Sequence, residues 1–235
     1  MDWITLAILS AATMGAVSIT EKVIVATQVR EVRTFYLVLA FLLLPIMTAL
    51  LLSQPNLIEI SRGSALLAVT GGVVHGSGLM VVWRVLRTGE VSRVIPVTTT
   101  FPIFVTILAA LFFHENIGVV KWLAIVVMVA GAVLISAQQA PGGKVFISRS
   151  FALLILASMS FAVSQTLSNQ VLEEVPRLVA LGFFLGGVAI ALFTVSARRP
   201  FLQEGLAVVK RPVAFSWFLA NASGAVTGNF LMFGA

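Results

Sequence analysis

A carboxylate, an imidazole and two amides interrupt stretches that are otherwise apolar, and these are the residues whose types could do chemistry. Glu21 follows the uncharged run 3–20 and precedes 23-VIVAT-27, so the helix entered at residue 3 is expected to continue past it. Ser10, Met14, Ser18 and Glu21 recur at helical spacing and share one face. Such a polar stripe is better aimed at a cavity than at lipid. His75 stands midway along the run 63–83, with Gly71, Gly72, Gly78 and Leu79 three and four residues away. Small faces pack against other helices in a bilayer, which would carry the imidazole into a bundle. Gln165 lies in a polar patch with Ser164, Thr166, Ser168 and Asn169, and Asn229 and Asn221 add amides near the end of the chain. An ionisable group kept inside a span costs about 2.5–3.5 kcal/mol on insertion scales for Asp, Lys or Arg, so it defaults to a functional hypothesis. Ser18, Glu21, His75, Gln165 and Asn229 are therefore the candidate substrate-binding residues.

Each has a structural alternative. Glu21 could pair with a basic neighbour at a helix end while Lys22 snorkels to the interface. His75 could relay protons or hold substrate, or stay neutral and bond a neighbouring helix. Gly72/Gly76, Gly182/Gly186 and Gly224/Gly228 form GxxxG pairs, read here as close-packing devices. Pro96 and Pro102 break backbone hydrogen bonds within one apolar run and could bend it.

Signatures of an enzyme are missing. His114-Glu115 lacks the second histidine of HExxH, and neither GxSxG nor a glycine-rich phosphate loop occurs. Glu173 and Glu174 are adjacent and point in different directions. With no cysteine in the chain there is no disulfide, thiolate metal site or cysteine nucleophile. No catalytic residue, metal ligand or cofactor is assigned.

The elements that must position these groups are eight runs free of Asp, Glu, Lys and Arg: 3–20, 34–58, 63–83, 94–114, 122–143, 150–172, 178–197 and 212–235. Each is about long enough to cross a ~30 Å hydrocarbon core at ~1.5 Å per residue. A mean hydropathy of +1.07 with 10% charged residues points to lipid as the solvent. Runs such as 103-IFVTILAALFF-113 are apolar on every face, whereas barrel strands alternate, so the spans are helices. Trp3, Trp83 and Trp122 fall at span ends, where indoles favour the headgroup zone, and Trp217 lies a little deeper. The net charge of +6 is scattered through the connections and forms no nucleic-acid-binding run. The start lacks the positive region of a cleavable signal, so the first helix is expected to remain as a span.

The chain repeats itself. 72-GVVHGSGLM-80 aligns with 224-GAVTGNFLM-232, and 16-AVSIT-20 with 162-AVSQT-166, at offsets of 152 and 146 residues. A duplicated unit of five helices has an odd number of spans, so its copy enters the membrane in the opposite sense, as in many transporters. The second copy reaches only its third helix before Ala235, and about two further helices are expected beyond it.

The stretch 89-GEVSRVIPVTTTFPIFVTILAALFFHENIGVVKWLAIVVMVAGAVLI-135 resembles the EamA domain of the drug/metabolite transporter superfamily. Pro102, Glu115, Trp122 and Gly131 occupy its characteristic positions, and Gly15, Lys22 and Arg33 also look like the family pattern. Met14 stands where the family often has Trp, and Ala124 where it often has Gly. The resemblance implies ten helices, two five-helix repeats and a central cavity opening alternately to either side.

The expected fold is thus all-α and polytopic, with a first repeat over 1–137, a connection over 138–149 and a partial second repeat over 150–235. The expected function is secondary transport of small metabolites, export or exchange, in the cell membrane. A lipid-carrier flippase and a non-transport membrane subunit are the alternatives, and an enzyme is not expected. Expected partners are a small-molecule metabolite and the lipid bilayer, with a homodimer as a candidate assembly and no nucleic acid. With Lys22 counted inside the first helix, eleven Lys and Arg follow the odd-numbered spans and three follow the even-numbered ones. The positive-inside rule then places the N-terminus outside, whereas the resemblance implies a cytoplasmic one.

Overall fold

The computed structural model describes residues 3–54, 60–112, 118–136, 138–139, 145–146 and 149–234. Ten α-helices carry almost all of them. The first run forms α1 (Trp3–Val23) and continues past Glu21 into a π-helical turn, Ile24–Gln28. Then come α2 (Val32–Leu52) and α3 (Arg62–Thr88). The fourth run is divided into α4 (Val91–Thr98) and α5 (Phe101–Phe112), and α6 follows (Val119–Ser136). A two-residue antiparallel ladder, β1 (Gln138–Gln139) with β2 (Val145–Phe146), lies in the connection to α7 (Arg149–Glu174). The chain closes with α8 (Arg177–Ser196), a short α9 (Arg199–Val209) and α10 (Pro212–Met232).

Among the described residues, six helical stretches are long and apolar enough to cross a membrane, counting α4–α5 as one, and a shorter apolar helix covers Trp122–Gly131. The eighth run forms a 21-residue helix, α10, but is more polar than these six. Its polar groups turn inward to α1. Ser10 Oγ donates to the Gly228 carbonyl at 2.9 Å, and Asn221 Nδ2 donates to Thr20 Oγ1 at 2.9 Å. Satisfying such groups inside the protein is what lipid requires. The protein is an all-helical, multi-pass integral membrane protein.

Glycines set the packing. α3 lies between α7 and α8, and α8 is also held against α2. Gly72 and Gly187 meet where α3 crosses α8: a Cβ on Gly72 would lie 3.0 Å from the Gly187 Cα, and one on Gly187 would lie 2.9 Å from the Val73 nitrogen. On the other face of α8, Gly182 receives Leu51 and Gly186 receives Met47 of α2. Gly71 and Gly78 admit Ser168 and Phe161 of α7, while Gly224 and Gly228 admit Val17 and Met14 of α1. All three GxxxG pairs therefore serve helix contacts. The sequence-matched Gly72/Gly76 and Gly224/Gly228 nevertheless meet different neighbours, α8 in one case and α1 in the other.

These contacts fix the helix directions. Gly72 and Gly76 of α3 approach rising numbers in α8, so the two run alike; Gly71 and Gly78 approach falling numbers in α7, so those run oppositely. The same reasoning makes α2 antiparallel to α8 and α10 antiparallel to α1. Lys22, near the end of α1, reaches the last carbonyls of α3, so α1 and α3 end at the same face. Helices α1, α3 and α8 thus point one way and α2, α7 and α10 the other.

The divided fourth run has a specific cause. Pro102 lacks the N–H that would bond the Thr98 carbonyl, and the chain turns at Thr99–Thr100. Ser158 of α7 answers the break, its hydroxyl lying 2.9 Å from the Val97 carbonyl and 3.1 Å from that of Thr98.

Candidate functional site

Glu21 is buried, with 8% of its surface exposed. It is placed there because α1 continues through it, and the π-helical turn beyond packs Ile24 and Val25 into the core. The Trp83 indole N–H lies near its carboxyl, yet Trp83 Nε1 makes no hydrogen bond of full geometry. A buried carboxyl thus meets a buried, unsatisfied N–H donor. Trp83 is itself 1% exposed and sits edge-on to Phe35 at 4.7 Å, with Tyr36 on it at 5.5 Å. Phe218 of α10 closes the group against Phe35 at 5.5 Å. The Tyr36 hydroxyl donates to the Met80 carbonyl at 2.7 Å, fixing α2 to α3.

Trp83 is therefore no interfacial anchor. The expectation that it marks a span end fails because α3 runs five residues further, to Thr88, with Leu86 buried beyond it. Trp122 is exposed on α6, as an interfacial indole would be.

Lys22, next to Glu21 but on another face, does not snorkel outward. Its Nζ donates to the carbonyls of Leu86 at 2.7 Å, Arg87 at 3.3 Å and Gly89 at 2.8 Å. A lysine at a helix C-terminus satisfies orphan carbonyls and offsets the negative end of the dipole. This ties the end of α1 to the end of α3 and holds Glu21 against Trp83.

The other candidates are not gathered at this point. The Ser18 hydroxyl is spent within its own helix on the Met14 carbonyl at 2.9 Å. His75 is half-buried between aromatic rings, Phe161 of α7 at 4.7 Å and Phe184 of α8 at 5.1 Å. It stands eight residues from Trp83 on α3, about 12 Å along the axis, so Glu21 and His75 occupy different levels of the bundle. Gln165 bonds Asn169 within α7 at 3.1 Å. Asn229 is buried and donates to the Ala225 carbonyl one turn back at 2.8 Å. Asn221 is the more connected amide: it bridges α10 to Thr20 of α1, and its Oδ1 is buried without a partner. Trp83, which sequence reasoning placed at a span end, thus stands beside Glu21, with Tyr36 packed on its ring. The signal was present in the spacing Gly72, Gly76, Leu79, Trp83, Leu86, which carries one helix face past the apparent end of the span.

Glu174 accepts from the Ser64 hydroxyl at 2.5 Å, joining the end of α7 to the start of α3. His114 and Glu115 lie outside the described residues. No cluster of His, Asp and Glu that could hold a metal ion occurs among the described residues.

The arrangement can hold one buried carboxyl beside an unsatisfied indole donor, at a junction of α1, α2, α3 and α10. A carboxyl so placed can take up or release a proton or accept a hydrogen bond. The chain is similar to an uncharacterized transporter in a cobO 3′ region from Sinorhizobium sp, 28% identical over 78 residues that make up 33% of this chain and 55% of that protein. The chain thus spans about half the length of that curated relative. The EamA-like transporter family matches residues 1–137, more than half of the chain. With its all-helical, multi-pass architecture, the chain belongs to the EamA-like transporter family.

Proposed function

We propose that the protein is a secondary transporter of small metabolites in the cell membrane, exporting or exchanging solute by alternating access, and not an enzyme. The observation that carries this reading is Glu21, a carboxyl kept buried near the end of α1 in a membrane protein, beside the unsatisfied Trp83 N–H. Groups of this kind are costly in lipid and are retained on solute and ion pathways. Family membership supports it, as do the helix directions, taken pair by pair: α1 runs opposite to α7, α2 to α8 and α3 to α10. We read 1–137 as a first repeat, 138–149 as a connection and 150–235 as part of a second repeat, moving against each other about the site. Ser18, His75, Gln165 and Asn229 line the route at other levels in this proposal.

Counterflow in proteoliposomes tests it. Vesicles holding the full-length protein are preloaded with unlabelled amino acids, nucleosides or organic acids, and entry of the labelled solute is measured. Glu21→Gln removes a charged hydrogen-bonding group worth about 1.5–3 kcal/mol, so uptake is expected to fall roughly 10–150-fold with insertion intact. His75→Asn is expected to lower uptake or change its pH dependence across about pH 5–8. Unchanged uptake and pH dependence in both variants would move the site elsewhere, and dye-lipid translocation without solute counterflow would identify a flippase instead.

A further inference from the structure

A cavity at the face where α1 and α3 end is lined by Glu31, Val32 and Arg33 at the start of α2, Arg84 and Arg87 of α3 and Phe201 of α9, three guanidinium groups against one carboxylate; its volume is about 630 Å³. Arg87 is already occupied, pairing with Glu31 at 3.8 Å and donating to the Arg30 carbonyl. Arg33 and Arg84 have no carboxylate within 4.0 Å among the described residues, whose ion pairs are Arg87–Glu31 and Arg93–Glu90. The nearby acid on α9, Glu204, is spent on α2: it accepts from the Arg30 N–H at 2.6 Å and from the Thr34 hydroxyl at 2.7 Å.

The two unmatched guanidinium groups converge. Both line the one cavity, Arg84 beside the Tyr36 hydroxyl, and the Arg33 guanidinium lies over the Phe201 ring, 5.7 Å from its centroid. Stacking of this kind fixes the plane of the fork and leaves its N–H edge open. Two like charges held in one concave, partly apolar site repel unless an anion joins them. The N-terminus of α2, whose N-cap Glu31 makes no side-chain capping bond, adds its positive end to the same place. An arginine needed only for orientation has no reason to be stacked and shared in this way; it would extend separately into headgroups.

We propose that Arg33 and Arg84, set by Phe201 and Tyr36, form a binding site for a phosphate group, taken either from a soluble phosphate compound or from an anionic lipid headgroup. Planar guanidinium forks match phosphate oxygens bidentately, which a lysine cannot do. The site is separate from Glu21, and its existence does not depend on the transport reading.

The test is thermal unfolding of the full-length protein in nanodiscs. In phosphatidylcholine discs, inorganic phosphate is titrated at constant ionic strength against chloride; in a second set, phosphatidic acid is added to the discs without phosphate. A saturable stabilisation by phosphate identifies the soluble source, and stabilisation by phosphatidic acid alone identifies the headgroup. In either case Arg33→Gln and Arg84→Gln should each weaken the effect by about tenfold or more, and Arg149→Gln, outside the cavity, should retain it. Arg33→Lys and Arg84→Lys keep the charge and guard against misfolding; they should lose most of the effect if the fork matters. No stabilisation by either probe overturns the proposal, and so does one that persists in the Arg33→Gln/Arg84→Gln double variant.

Discussion

Replacing Gly72 by alanine adds a single methyl group where α3 crosses α8, and the structure says what that methyl meets. It would lie 2.9 Å from the Phe184 carbonyl carbon, closer still to its oxygen, and 3.0 Å from the Gly187 Cα. Carbon atoms settle at about 3.5–4.0 Å, so the carbon contacts alone require the two backbones to part by roughly 0.5–1 Å, and the nearer carbonyl oxygen requires more. Neither obstacle is the tip of a side chain that could swing aside. A gap of that size forfeits a quarter to a half of each contact's attraction, and the α3–α8 seam also includes Gly76 against Val188 and Ala191. Overpacking of this sort costs about 1–3 kcal/mol. For a chain of this size that is a fall in Tm of about 2–12 °C on soluble-domain entropies. The comparison is Gly15→Ala, where a Cβ would meet nothing within 4 Å and better helix propensity should leave stability equal or slightly higher. Both variants would be purified in one detergent and melted by fluorescence-detected size exclusion. If Gly72→Ala melts with the parent, the close crossing of α3 and α8 is wrong, and with it the helix directions derived from it.

Ser158→Ala should leave the Thr98 carbonyl freed by Pro102 without its donor and lower stability by about 1–3 kcal/mol. Ser160→Ala, whose hydroxyl bonds only its own helix at the Leu156 carbonyl, should be near neutral in the same melts. Glu204→Ala removes the acceptor for Arg30 N–H and Thr34, a loss of about 1–3 kcal/mol that should loosen α9 from α2; faster trypsin cleavage after Arg198, with the other basic sites unchanged, would register it. Because the chain has no cysteine, single cysteines report orientation directly. If the strongly basic face is cytoplasmic, Gln54→Cys is labelled from outside by an impermeant thiol reagent and Gln28→Cys is not; the reverse pattern puts the N-terminus in the cytoplasm.

Much of the fold was legible without coordinates. Lipid removes water as a partner for backbone groups, so an all-round apolar run of sufficient length has to be a helix, and α2 and α8 follow from that alone. The break in the fourth run was foreshadowed by Pro96 and Pro102, because a missing N–H is a local fact of sequence. The burial of Glu21 could be anticipated too, since 23-VIVAT-27 extends the helix beyond it. Which groups meet was decided only by tertiary packing. Trp83 looked like an interfacial residue because the first charge after it, Arg84, appears to end the span; α3 runs on because Lys22, 64 residues away in sequence, takes up its terminal carbonyls. The matched glycines at 72 and 224 could not reveal their partners, because GxxxG specifies close approach and leaves the neighbour open. Composition fixes the solvent, and the solvent fixes the secondary structure. The convergence of Glu21 with Trp83, and of Arg33 with Arg84, depends on which small-residue faces interlock, and that is a property of the assembled bundle.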